Sequence, residues 1–138
     1  MMTGEPNTGP GPAGPNILIV DDSAIMRTMI KRVAALAGTP IGTIFEAANG
    51  REALTILEQH PVQFVFTDLN MPVMTGTELL REMLTRDDWR GIVRVVISTD
   101  GSDSRRHEVR DLSVAVYVEK PFRPEEMRDV LASLTPAR

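Results

Sequence analysis

The sequence predicts an α/β fold in which a doubly wound, five-stranded parallel sheet carries helices on both faces. Two observations support this fold class. Short, continuous runs of mostly branched apolar residues alternate along the chain with segments whose apolar residues recur at helical spacing. The first run, Ile17–Val20, is not interrupted by polar residues, so this strand is expected to be buried on both faces, as parallel strands are. Alternating strands and helices of this kind are typical of a parallel sheet.

Five strands and four well-defined helices follow from this pattern. The predicted strands cover residues 17–20, 43–47, 64–66, 92–98 and 114–118. The predicted helices cover residues 23–36, 50–59, 77–86 and 124–134. In the first helix apolar residues recur at Ile25, Met26, Met29, Ile30, Val33 and Leu36. The third helix is expected to turn Leu79, Leu80, Met83 and Leu84 inward.

Length, composition and charge exclude several classes of protein. The chain has 138 residues, the usual size of one domain, and its 42% hydrophobic and 25% charged residues are ordinary for a globular protein. A net charge of -4 disfavours a nucleic-acid-binding domain. The absence of cysteine excludes disulfides and thiolate metal sites. Because no apolar run suits a membrane span or a secretory signal, we expect a cytoplasmic protein without membrane insertion.

The first 15 residues differ in composition from the rest of the chain. They contain four of the 10 glycines, four of the 10 prolines and a single charged residue, Glu5. Such a segment cannot bury enough apolar surface to offset the entropy lost on ordering. We predict a disordered Gly/Pro-rich tail at residues 1–15 and one folded domain at residues 16–138.

The segment between the fourth and fifth strands, residues 100–111, is unusually polar for a helix that packs on a sheet. Val109 is its one strongly apolar residue, and Leu112 follows it. A surface helix normally presents three or four apolar residues per two turns to the core. The sequence therefore predicts a fourth helix that is short, shifted or mobile.

Polar side chains follow four of the five predicted strands. Because the carboxyl ends of parallel strands meet at one edge of the sheet, these side chains are expected to lie close together. Three close carboxylates repel one another unless a cation neutralises them, and Mg²⁺ prefers such oxygen ligands. A carboxylate can also attack phosphorus, so the set is chemically suited to accept a phosphoryl group. The residues are Asp21 and Asp22 after the first strand, Asp68 after the third, Ser98 and Thr99 after the fourth, and Lys120 after the fifth.

These motifs resemble the receiver domain of two-component response regulators, in particular the single-domain, CheY-like chemotaxis type. The resemblance extends from about residue 16 to residue 134 and implies the flavodoxin-like strand order 2-1-3-4-5. The acidic pair, the Asp-x-Asn-Met-Pro segment and the Lys-Pro-Phe segment are specific as a set. The matching residues are Val-Asp-Asp-Ser at 20–23, Thr-Asp-Leu-Asn-Met-Pro at 67–72, Met-Thr-Gly at 74–76, Ser98-Thr99, Tyr117 and Glu-Lys-Pro-Phe at 119–122.

The resemblance implies a phosphoacceptor and a metal site. Asp68 would accept the phosphoryl group. Asp22, Asp68 and the backbone carbonyl of Asn70 would bind Mg²⁺ directly, and Asp21 would act through water. The Lys120–Pro121 peptide bond would be cis.

The resemblance also implies how the phosphoryl group is bound and read. Lys120 and Ser98 would act in phosphoryl transfer together with the phosphoacceptor. Ser98, Thr99, Lys120 and Asn70 would contact the phosphoryl oxygens. Ser98 and Tyr117 would form the switch, the tyrosine turning inward as Ser98 moves.

The function implied is that of a phosphorylation-controlled switch without an external substrate, and so not an enzyme. A histidine kinase would donate the phosphoryl group. A downstream protein would bind the face formed by the fourth helix, fifth strand and fifth helix, with the domain predicted to be a monomer. Since no output domain follows before the chain ends at Arg138, we expect a stand-alone regulator in chemotaxis or a related phosphorelay.

Other functions remain open from the sequence. One is a receiver-fold interaction module that is never phosphorylated, although such a module has no need of the full acidic and lysine set. Another is a phosphohydrolase with an aspartate nucleophile, but these enzymes usually place a second acid two residues later, where this chain has Asn70. Within the switch class, the sequence does not choose between motor binding, a phosphate sink and a phosphorelay shuttle.

Overall fold

The structure, a computed structural model, describes residues 14–134. Most of the predicted tail, residues 1–13, lies outside the described residues. At the start of the described part, the carbonyl of Pro15 accepts a hydrogen bond of 2.8 Å from the Gly42 amide. The strands are β1 (Ile17–Val20), β2 (Ile44–Ala47), β3 (Phe64–Thr67), β4 (Val93–Ser98) and β5 (Val114–Glu119). The helices are α1 (Ala24–Ala35), α2 (Gly50–Gln59), α3 (Gly76–Met83), α4 (Asp103–Glu108) and α5 (Pro124–Leu134).

The five strands form one parallel sheet in the order β2-β1-β3-β4-β5. This confirms both the fold class and the strand order implied by the resemblance. Val20, the last residue of β1, is in register with Ala47 of β2 and Thr67 of β3. The carboxyl ends of the three neighbouring strands are therefore level, which sets the loops that follow them side by side.

Side-chain caps start four of the helices close to the strand ends. Ser23 Oγ accepts from the Met26 amide at 3.2 Å to cap α1, and Asn49 does the same for α2. Thr75 and Glu78 form a capping box at α3, and Ser102 caps α4. Because capping satisfies the first amides of each helix, the connections at this edge of the sheet can be short and well defined.

The core lies on both faces of the sheet, which explains the continuous apolar runs. Ile17 and Ile19 pack with residues of α1 and α5, whereas Leu18 and Val20 pack with residues of α2 and α3 on the other face. Each residue of β1 is thus buried whichever way it points. None of the helices within residues 14–134 is long and apolar enough to cross a membrane.

Some apolar residues of the predicted helices do not reach the core. In α1, Ile25 and Met29 are exposed, by 79% and 44%, because only the side of Ile30, Val33 and Ala34 faces the sheet. Leu36, which the sequence placed in the same helix, follows its last residue and is 75% exposed. The inward orientation predicted for Leu84 is wrong: α3 ends at Met83, so Leu84 follows the last turn and is exposed. Helical spacing identifies these segments as helices, but it does not show how wide the buried stripe is.

Of the three possibilities that the sequence left for the fourth helix (short, shifted or mobile), the structure shows a short one. It spans six residues, none of them buried, and a 3-10 turn at Arg110–Leu112 follows it. Val109 and Leu112, which lie beyond the α-helix, supply the buried contacts of this segment. The helix itself therefore rests on the domain through polar contacts.

Candidate phosphorylation site

The carboxyl ends of β1, β3 and β5 bring three predicted site residues into contact. Lys120 Nζ lies 2.8 Å from Asp21 Oδ2 and 3.1 Å from Asp68 Oδ2. The side chains of Lys120, Asp21 and Asp68 are only 9%, 3% and 12% exposed to solvent. In this sheltered position each charge interacts more strongly with the others than it would on the surface.

The two carboxylates keep the lysine charged. Burial alone would lower the pKa of Lys120, since it disfavours the ammonium form. Hydrogen bonds and charge attraction from Asp21 and Asp68 outweigh burial, and the pKa lies above its usual value. The site therefore presents a fixed positive charge beside the candidate phosphoacceptor.

A third carboxylate, Asp22, completes an acidic cluster. Asp21, Asp22 and Asp68 each offer one oxygen, and these oxygens all lie within 4.8 Å of one another. Asp21 is buried, Asp68 is partly buried and Asp22 is exposed to solvent. Three carboxylate oxygens from two adjacent loops, one of them open to water, are a donor set that suits Mg²⁺. The residues present therefore fit the metal implied by the sequence.

Short contacts within the loops hold the aspartates in place. Asp21 Oδ1 accepts from the Ser23 amide at 2.9 Å, and Asp68 Oδ1 accepts from the Leu69 amide at 2.7 Å. Gly76, the first residue of α3, passes so close to Asp68 that a Cβ there would lie 1.9 Å from the Asp68 carbonyl oxygen. Only glycine permits this approach, so α3 is packed directly against the loop that carries Asp68.

The fourth strand ends at the hydroxyl residues of the site. Ser98 is fully buried, its Oγ accepts from the Asp100 amide at 3.1 Å, and its carbonyl accepts from the Lys120 amide at 2.8 Å. Thr99, by contrast, is exposed. The Lys120–Pro121 bond is cis, as the resemblance implies.

Tyr117 links β5 to the loop after β4. Its hydroxyl donates to the carbonyl of Asp100, and the Arg106 guanidinium stacks over its ring with 4.5 Å between guanidinium carbon and ring centroid. Burial raises the pKa of Tyr117, so the phenol remains a donor at neutral pH. The predicted switch aromatic thus contacts the loop that begins at Ser98.

Asn70 lies at the exposed rim of the site, where an arginine reaches it. The guanidinium of Arg105, from α4, donates to Asn70 Oδ1. Sequence reasoning did not identify Arg105 as a site residue. The one available signal was a pair of arginines, Arg105 and Arg106, in a helix that has no apolar face.

Comparison with known proteins agrees with this geometry. A family model described as the response regulator receiver domain matches residues 17–132. The chemotaxis protein CheY of Thermotoga maritima is 32% identical over 118 residues, which cover 86% of this chain and 95% of that protein. The sporulation initiation phosphotransferase F of Bacillus subtilis is 32% identical over 123 residues, or 88% and 94% of the two chains.

A solved structure gives the same result at the level of the fold. The chemotaxis response regulator CheY4 of Vibrio cholerae superimposes with a TM-score of 0.76 at 28% identity, covering 86% of this chain and 97% of that one. The family match spans all five strands and nearly all of the described residues. This chain therefore belongs to the response regulator receiver family and is a CheY-like receiver domain.

Proposed function

We propose that this protein is a two-component response regulator in which Asp68 accepts a phosphoryl group from a histidine kinase. One observation carries the proposal: a partly buried lysine, Lys120, bridges Asp68 and Asp21 at the edge of a three-carboxylate cluster. An ammonium held at 3.1 Å from a carboxylate is well placed to bind a phosphoryl group on that carboxylate.

Transfer of the phosphoryl group from the kinase's phosphohistidine to Asp68 needs no further reactant. A carboxylate oxygen of Asp68 forms a bond to phosphorus while the bond between phosphorus and the donor's imidazole nitrogen breaks. The imidazole leaves with the electron pair of that bond, and Asp68 becomes an acyl phosphate. Bound Mg²⁺ would supply positive charge against the phosphoryl oxygens. Asp22, Asp68 and the Asn70 carbonyl would hold it, with Asp21 acting through water.

The other predicted residues support binding and readout of the phosphoryl group. Lys120 is fixed in its charged form beside Asp68, and buried Ser98 lies at the end of the neighbouring strand. Since Ser98 Oγ is tied to the Asp100 amide, a move of Ser98 toward new phosphoryl oxygens disturbs the loop that Tyr117 contacts. Phosphorylation would thereby change the balance between two conformations of this loop.

The output of the domain is proposed to be a protein contact. A groove between α4 and β5, with Arg106, His107, Val116 and Tyr117 among its lining residues, lies next to this loop. A partner bound there would sense the position of Tyr117 directly. The domain would turn over no external substrate, and the names of its relatives favour a place in chemotaxis or a phosphorelay.

The mass of the intact protein after incubation with acetyl phosphate tests the proposal. With Mg²⁺, the wild type should gain one phosphoryl group, and this gain should be lost without Mg²⁺ and in Asp68→Asn. Asp129→Asn, which removes an exposed carboxylate of α5, is the matched control and should label normally. If the wild type is not phosphorylated under conditions where a known receiver domain is, the hypothesis of an interaction module that is never phosphorylated replaces this proposal. Release of phosphate from small phosphate esters would instead favour the phosphohydrolase.

A further inference from the structure

The fourth helix is held against the domain by two adjacent arginines that point to different places. Arg106 contacts Glu119 at 3.6 Å, the Gly101 carbonyl at 3.2 Å and the ring of Tyr117. Arg105 reaches in the other direction, to Asn70 in the loop after β3. Because no residue of α4 is buried, these polar contacts position the helix in place of an apolar face.

Arg105 is placed at the rim of the candidate phosphorylation site with part of its hydrogen-bonding capacity unused. Besides Asn70 Oδ1, its guanidinium donates to Glu108 Oε1 at 3.0 Å. Its Nε is buried, has no hydrogen-bond partner and lies 3.9 Å from Asp100 Oδ2. The side chain as a whole is 23% exposed. A buried donor without a partner is costly, so Arg105 gains from any strong acceptor that arrives nearby.

The acceptor that joins Arg105 to the loop carrying Asp68 is uncharged, whereas its two carboxylate neighbours, Glu108 and Asp100, belong to α4 and to the loop after β4. Asn70 Oδ1 is a neutral amide oxygen, two residues along the chain from Asp68. A phosphoryl group on Asp68 would bring three oxygens and about two negative charges to the same loop. A guanidinium binds such a group through two parallel hydrogen bonds and prefers it strongly to a neutral acceptor.

We propose that Arg105 is a phosphoryl-binding residue of the phosphorylated protein, which leaves Asn70 Oδ1 and binds the phosphoryl oxygens on Asp68. This inference rests on the proposed function, since it requires a phosphoryl group at that position. It adds a cation from α4 to Lys120, which directly follows β5. Because none of the six residues of α4 is buried, the helix can follow Arg105 while Val109 and Leu112, which lie beyond it, keep their core contacts.

Titration with beryllofluoride, a phosphoryl analogue that binds carboxylates, tests this inference in the presence of Mg²⁺. Calorimetry would compare the wild type with Arg105→Gln and with the control Arg81→Gln, which removes the same charge from an exposed position of α3. We expect Arg105→Gln to bind at least fivefold more weakly, about 1 kcal/mol. Arg81→Gln should stay within twofold of the wild type.

A second measurement leaves Arg105 itself unchanged. In the wild type, the NMR signal of the Arg105 Nε–H should shift when beryllofluoride is added, and it should not shift in Asp68→Asn. An unshifted signal, or equal affinity losses in the two arginine variants, would overturn the assignment of Arg105 while leaving phosphorylation of Asp68 intact. If the wild type binds no beryllofluoride and accepts no phosphoryl group, the proposed function and this inference fail together.

Discussion

Lys120 Nζ donates to Asp21 Oδ2 at 2.8 Å although the two residues are 99 positions apart in the sequence. The same ammonium donates to Asp68 Oδ2 at 3.1 Å. One partly buried cation thus neutralises carboxylates from two different loops. The lysine is therefore part of what holds the edge of the sheet together, as well as a candidate phosphoryl ligand.

Replacing this lysine should destabilise the protein. Lys120→Met leaves two sheltered carboxylates without their partner, and we expect the free energy of unfolding without divalent ions to fall by about 2–4 kcal/mol. Urea denaturation measures the change. Lys31→Met is the control: it removes a half-exposed lysine paired with Glu46 and should cost about 0.5 kcal/mol. Equal effects of the two substitutions would contradict the role assigned to Lys120.

Mg²⁺ should stabilise the folded protein through Asp22. This carboxylate belongs to the acidic cluster yet is exposed, so Asp22→Asn should not lower stability when divalent ions are absent. Mg²⁺ at 100 times its dissociation constant should add about 2.7 kcal/mol to the wild type and much less to Asp22→Asn. Thermal unfolding with and without Mg²⁺ measures this difference. Asp87→Asn, at an exposed position away from the cluster, should retain the full gain.

Val73 is held in a strained backbone conformation in the loop between Asp68 and α3. Its φ of 68° lies in the left-handed region, which β-branched residues avoid, and its side chain is exposed. Val73→Asn should therefore raise the free energy of unfolding by about 0.5–1 kcal/mol. Ser113, at φ 60°, provides the comparison, and Ser113→Asn should gain less because serine is not β-branched. A loss of stability in Val73→Asn would contradict this interpretation.

Glu46 should contribute stability that is lost in acid. It accepts hydrogen bonds from Lys31 Nζ at 2.8 Å and Arg27 Nε at 3.0 Å. The hydrogen bond from Lys31 is the largest effect on its pKa; although burial opposes it, the pKa lies below the usual 4.5. Since the pKa is lowered by folding, the stabilisation is complete above the unfolded value and disappears as pH falls through the folded value.

This prediction is tested by measuring the free energy of unfolding of Glu46→Gln and of the wild type as a function of pH. At neutral pH the variant should be less stable by about 0.5 kcal/mol, because the pair is partly exposed to solvent. The two proteins should converge in acid. Glu82→Gln, an exposed residue of α3, should show no such pH-dependent difference. A difference for Glu46→Gln that is constant with pH would show that charge is not its cause.

Hydrogen exchange should distinguish α4 from α1. The segment 102–111 contains a six-residue helix without a buried residue, whereas α1 buries Ile30, Val33 and Ala34. Local opening of α4 exposes little apolar surface, so its amides should exchange at least about tenfold faster than those of residues 23–36. Equal protection of the two segments would show that the polar contacts of α4 hold it as firmly as a core does.

Much of the site was predictable because it follows from local pattern and one topological rule. The continuous apolar run at β1 indicated a strand, and Asp21 and Asp22 come directly after it. The same logic located Asp68, Ser98 and Lys120. The polar composition of residues 100–111 likewise predicted a short fourth helix, which spans Asp103–Glu108.

Other features were not predictable from local pattern. Ile25, Met29 and Leu36 have helical spacing but are exposed, because the width of the buried stripe depends on how α1 sits against the sheet and α5. The contact between Arg105 and Asn70 joins residues 35 positions apart. No sequence motif predicts this contact, because the partner that a long arginine side chain reaches depends on how α4 and the loop after β3 are placed in the fold.

By itself the sequence determined the element types, their order and the residues that end each strand. These properties depend on spacing within a few residues of chain, which sequence displays directly. The tertiary structure alone decided that Lys120 bridges Asp21 and Asp68, and that Arg105 reaches the rim of the same site. Such contacts depend on the packing of segments far apart in the chain, and a shift of a few ångströms is enough to make or break them.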